Sequence, residues 1–189
     1  MKKGVIITLA VIAVVVIALI GGTISSYNRL VDAEAAVEEK AATVDTMLTR
    51  RADLIPNLVS TVKGYAAHEE AVYTAIADAR AKLSGSTTTE EKLEANDELS
   101  SAISRLLVVV EQYPELQASE QFIALQDQLE GAENRISTAR VDYNEAVKDY
   151  NTRIRRFPSN LIAGMFGFEK YEMYEAPDSD QTAPTVNFD

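Results

Sequence analysis

The sequence holds no cysteine, no tryptophan and a single histidine among 189 residues. Without cysteine there can be no disulfide, no thiolate metal ligand, no thiol nucleophile and no lipidated cysteine behind the first apolar run. One histidine cannot supply the two Glu-x-x-His pairs of a di-iron bundle. Nor does it complete an H-E-x-x-H zinc helix, because Val72 stands where the second histidine would be. The plainer reading of His68 is a solvated residue at a helix start. Glycines are few and scattered, so neither a phosphate loop nor a G-x-S-x-G nucleophile elbow is present. Bases are also scarce: 18 Lys and Arg face 29 Asp and Glu, for a net charge of −11. That balance argues against nucleic acid as a partner.

What is present begins with "GVIITLAVIAVVVIALI", Gly4 to Ile20, which carries no charge. Roughly 17 helical residues reach about 26 Å, near the lower limit for crossing a bilayer. A short basic N-terminus, 1–3, followed by a transmembrane anchor, 4–22, is therefore expected. The rival is a cleaved signal peptide, for which Thr23 and Ser25 are small enough. Lys2 and Lys3 lie closer to the run than Arg29 and Lys40. Their density predicts a single-pass protein of the cell membrane with its N-terminus inside and the following bundle outside the cytoplasm.

The rest is helical in pattern. Leu30, Val37 and Val44 recur every seven residues, with Ala33, Ala41 and Leu48 between them. Val72, Ile76, Ala79 and Leu83 predict a second helix ending near Gly85, and a Thr around Thr89 caps a third that stops before Pro114. In a fourth, from Gln117 to Arg155, Phe122, Leu129, Ile136, Tyr143 and Tyr150 fall seven apart. One-sided helices joined by short loops bury their seams only against each other. The expected fold is all-α: an N-terminal transmembrane helix continuing into a long antiparallel four-helix bundle over 23–170. An acidic tail, 171–189, is expected to be disordered.

Within this frame several residues invite a role. Arg51 continues the Leu30, Val37, Val44 series into a core position, where a charge must lean out or pair with Asp53 or an acid on another helix. Pro56 is expected to kink the first helix from within its apolar face, with Asn57 satisfying the freed backbone. Tyr-Asn occurs at Tyr27-Asn28, Tyr143-Asn144 and Tyr150-Asn151, the last two one heptad apart. The rings suit the seam, and Asn144 and Asn151 suit bonds across helices. If the fourth helix returns to the membrane, Arg153, Arg155 and Arg156 meet lipid headgroups, and Phe166 and Phe168 lie at the interface; the alternative is that this segment simply caps the end of the bundle.

Taken together, "YNRLV", "RRADLIPNLVSTVKGYAAHE" and "YPELQASEQFIALQDQLEGAENRISTARVDYNEAVKDYNTRIRRFP" resemble the LemA family of bacterial membrane proteins from Tyr27 to about Ala176. Ala41 and Thr49 depart from the Trp and Gln expected there. The resemblance implies one membrane segment and an antiparallel four-helix bundle, and it brings no catalytic residue and no cofactor. The expected function is a membrane-anchored scaffold or adapter of the cell envelope, not an enzyme, working through a protein partner or as a homo-oligomer. A lipid- or small-ligand-binding bundle is the alternative, and a metal-dependent enzyme the remotest one.

Overall fold

The computed structural model describes residues 2–175, and among the described residues every regular element is an α-helix, with no strand. Helix α1, Lys2–Lys63, runs 62 residues without a break. Gly21 and Gly22 are helical like their neighbours. A helical glycine costs about 1 kcal/mol, a cost the long helix on either side absorbs. α1 also continues through Pro56, which is exposed rather than set in the apolar face. Ile55 and Leu58 are buried and Pro56 lies on the outer side between them, so the ring displaces no core contact.

Short connections follow. Tyr65 and Ala66 both donate their backbone N–H to the Val62 carbonyl, ending α1 in a turn that leads into α2, Glu70–Gly85. A capping box starts α3, Thr89–Val110: the Thr88 side chain accepts from the Glu91 N–H, and the Glu91 carboxylate accepts from the Thr88 N–H. Three donors from Thr87 and Thr88 hold the Glu91 carboxyl below the usual carboxylate range. Pro114 opens a single turn, α4, Pro114–Gln117, after which α5, Glu120–Arg155, begins three residues later than the heptad pattern suggests. The apolar "NLIAGMFGF" forms α6, Ser159–Phe166, which ends at Gly167. There φ is +77°, a left-handed conformation that favours glycine.

The chain divides into two compact units. Among the described residues, one comprises 41–144 and 172–175, the other 2–40 and 145–171. In the first, side-chain contacts set the helix directions. Lys63 lies over the Tyr73 ring and Arg80 reaches Ala52, so α2 runs against α1. Lys82 pairs with Glu98, Lys92 with Asp45, and Tyr143 with Glu90. The four long segments thus alternate up and down around a core of Leu48, Ile55, Leu58, Ile76, Leu93, Leu99, Leu106, Leu116, Ile136 and Tyr143.

In the second unit, the buried Leu30 packs with Ile162 and Ala163 of α6, flanked by Ile154 and Phe168. Val37, Val147 and Tyr150 are fully enclosed. The large apolar side chains from Ile6 to Ile20 are all exposed. This stretch of α1 is long and apolar enough to cross a membrane.

Candidate functional sites

Arg51 is the buried charge of the first unit, 5% exposed. Its Nη1 donates to Asn96 Oδ1 at 2.6 Å and Ser100 Oγ at 2.8 Å, and lies 2.7 Å from Glu133 Oε2. One Nη carries two protons, so three acceptors cannot all be aligned. Glu133 contributes charge rather than a well-directed hydrogen bond. Asp53, the neighbouring acid, is exposed and turned away, so the pairing acid comes from α5. Burial lowers the Arg51 pKa from its ordinary value, against the pull of Glu133. Asn96, with none of its surface exposed, was unremarked in the sequence. Its signal was available, since it falls one heptad before Ile103 and two before Val110.

Pro56 lies on the outer face of α1 rather than the apolar one, and Asn57 takes a different part from that expected of it. Proline lacks the N–H that would bond the carbonyl four residues back, leaving that of Ala52 free. Arg80 Nε of α2 donates to it at 3.2 Å. The Asn57 side chain is exposed, and the Asn57 backbone carbonyl accepts from the Ser60 and Thr61 hydroxyls.

A second polar cluster gathers on Tyr174. Asp97 accepts from the Tyr174 hydroxyl and from Arg140 Nη2. The Arg140 guanidinium sits 4.5 Å from the Tyr174 ring centroid, within cation–π range. Asn144 then clamps the Tyr174 backbone from both sides: Nδ2 donates to the carbonyl at 2.8 Å, and Oδ1 accepts from the N–H at 2.9 Å. The buried Tyr143 donates its hydroxyl proton to Glu90 Oε1 at 2.8 Å.

The other unit repeats the clamp. Asn151 Nδ2 donates to the Tyr171 carbonyl at 2.8 Å, and its Oδ1 accepts from the Tyr171 N–H at 3.1 Å. Tyr150 is fully buried with its ring edge-on to Tyr171, centroids 5.3 Å apart. A side-chain amide presents one donor and one acceptor side by side, which suits the N–H and C=O of one non-helical residue. Residues 171–175, drawn into the tail by composition, thus have bound backbone at both tyrosines. The rest of that tail lies outside the described residues. Tyr171 and Tyr174 escaped sequence reasoning because no period runs through them.

At the far end of that unit the Tyr27 ring meets Phe166 at 4.8 Å and Phe168 at 5.7 Å between centroids. Arg153, Arg155 and Arg156 are exposed at the end of α5, with Arg155 Nε donating to the Asn151 carbonyl. His68 is exposed in the turn before α2. Among the described residues no group of three or more His, Cys, Asp or Glu is arranged to hold a metal ion. Polar groups are spent on helix-to-helix and helix-to-tail bonds, an arrangement suited to holding a shape.

The chain is 28% identical to magnetosome protein MamQ 2 of Paramagnetospirillum magneticum, over 95% of its own length and 76% of that protein's. It is 25% identical to magnetosome protein MamQ of Magnetospirillum gryphiswaldense, over 91% and 73%. Protein LemA of Metamycoplasma hominis is 21% identical, over 82% and 71%. The sequence profile of the LemA family matches residues 40–188, most of the chain, and this protein belongs to the LemA family.

Proposed function

We propose that this protein is a membrane-anchored helical scaffold or adapter of the bacterial cell envelope, acting through protein contacts or self-association rather than catalysis. The observation that carries the proposal is the continuity of α1. One helix holds an apolar stretch with exposed side chains from Ile6 to Ile20 and then the buried seam of Leu30, Val37, Val44 and Leu48. Such a helix couples a membrane span directly to a packed bundle. Relatives named as magnetosome proteins support a role as a component of a larger assembly. A binding bundle for lipid or a small apolar ligand is less favoured: a cleft of about 320 Å³ between α2 and α3 has walls bearing Asp78, Lys82, Glu98 and Arg105. With the N-terminus inside, the bundle faces outward from the cytoplasm.

Crosslinking in intact membranes, with mass identification of what is captured, tests the proposal. A reproducible partner or a homo-oligomer is expected. Recovery of random neighbours alone, with a monomeric mass in detergent, would overturn it. Protease added to whole cells reads the topology: cleavage before lysis is expected, and protection until lysis reverses the orientation.

A further inference from the structure

Among the described residues, the unit built from 2–40 and 145–171 leaves an apolar surface beyond the α1 span uncovered. Phe157 is 80% exposed, Met165 75%, Leu161 57% and Phe166 55%. They flank or belong to α6, whose other face buries Ile162 and Ala163. A short helix this lopsided has one side committed to the protein and one to something else.

Its position relative to the span follows from chain geometry. A hydrocarbon core of about 30 Å takes about 20 helical residues, which carries α1 from Gly4 to Thr23. Tyr27 is four residues further, about 6 Å along the axis. That is the headgroup layer, where tyrosine collects because its ring is apolar and its hydroxyl polar. Phe166 and Phe168 touch the Tyr27 ring, so they share its depth. Leu30, three residues beyond Tyr27, packs on Ile162 and Ala163 and fastens α6 at this level.

Charge supplies the second argument. The protein as a whole is strongly acidic, yet residues 22–31 and 150–168, the segments flanking this surface, hold four arginines and no acid. Arg29, Arg153, Arg155 and Arg156 are all exposed. Two of them lie in the last turn of α5, where the helix end favours a cation. Arg29, inside α1, has no such reason, and Arg156 lies past the helix end. Exposed apolar side chains bordered by arginines match a bilayer surface with acidic headgroups.

We infer that α6 and Phe157 form a foot that lies in the membrane interface beside the α1 span, with the four arginines binding acidic phospholipid headgroups. The inference rests on the anchoring role of α1 proposed above. The foot gives a single-pass protein a second contact with the bilayer and restrains rotation and tilt of the helix that carries the bundle.

The absence of cysteine makes a direct test available. Full-length Leu161→Cys, Met165→Cys, Val15→Cys and Val108→Cys variants, each labelled with a fluorophore, are reconstituted in vesicles of phosphatidylcholine with increasing phosphatidylglycerol. Labels at 161 and 165 should be several-fold less sensitive to aqueous iodide than the label at 108. They should also be quenched by a nitroxide placed high on the lipid chains, increasingly so as phosphatidylglycerol rises. Combined R153Q, R155Q and R156Q should remove that lipid dependence, with the helical circular dichroism unchanged. Iodide access at 161 and 165 equal to that at 108, while 15 stays protected, overturns the foot and leaves the anchor standing. Iodide access at 15 overturns the anchor itself. Protection at 161 and 165 from both quenchers means a protein, such as a second copy, covers the surface, and overturns the lipid assignment. Protection that ignores phosphatidylglycerol overturns the role of the arginines.

Discussion

Arg80 Nε donates a 3.2 Å hydrogen bond to the Ala52 carbonyl, the acceptor that Pro56 leaves without its helical donor. A defect in one helix is thus repaired by the next, and α1 passes through a proline while remaining helical on both sides.

Arg80→Ala should therefore destabilise the protein by about 1–2 kcal/mol, the cost of a partly buried acceptor losing a charged donor. In a Pro56→Ala background the cost should shrink, because the restored N–H recaptures the Ala52 carbonyl. Denaturant melts of the four variants in detergent measure the coupling. Equal costs in both backgrounds would mean that Arg80 acts elsewhere.

Arg51→Ala should cost about 2–4 kcal/mol, and Glu133→Gln about 1 kcal/mol or less. The asymmetry follows from burial: losing the guanidinium leaves the fully buried Asn96 Oδ1 without its donor, whereas the Glu133 side chain is 42% exposed and keeps water. The same melts check the order, and a larger loss for Glu133→Gln would show that charge neutralisation governs the layer.

Tyr150 offers a test by pH. Burial pushes its hydroxyl up to about 12, helped by the charges of Glu34 and Glu169 and by Tyr171. The unfolded chain ionises near pH 10, so stability present below pH 10 is lost as pH climbs from about 10 toward 12. The hydroxyl is also buried without a hydrogen-bond partner. Tyr150→Phe should leave stability at pH 7 unchanged or raise it by up to about 1 kcal/mol, and should flatten the alkaline decline. Marked loss at pH 7 would reveal a partner for that hydroxyl.

The asparagine clamps predict residue-specific hydrogen exchange. Asn151→Ala should speed exchange of the Tyr171 amide, while Asn144→Ala should do so for Tyr174. Asn151→Asp should have a smaller effect on the Tyr171 N–H, since a carboxylate still accepts that bond but cannot donate to the carbonyl. Exchange at both tyrosines unchanged in the alanine variants would show that ring packing alone holds residues 171–175.

Much of this was readable in the order of residues. Phe122, Leu129, Ile136, Tyr143 and Tyr150 are all buried, as their sevenfold spacing implies, because a helix has no other way to keep them on one side. Arg51 was legible as a core position for the same reason. Pro56 was placed on the wrong face because closely spaced apolar neighbours on both sides blur the stripe. The start of α5 was missed by three residues because the turn at Pro114–Gln117 carries no period of its own.

The sequence alone determined the four long helices, most of the positions they bury and where an apolar span lies, since these depend on spacing within one helix and on local composition. Only the tertiary structure decided that Arg51 answers to Asn96, Ser100 and Glu133, that Arg80 completes Ala52, and that two asparagines hold Tyr171 and Tyr174. Those partners lie between 20 and 82 residues away along the chain from the groups they satisfy. A buried polar group takes whichever complementary atom packing brings within about 3 Å, and no spacing within a single helix encodes that.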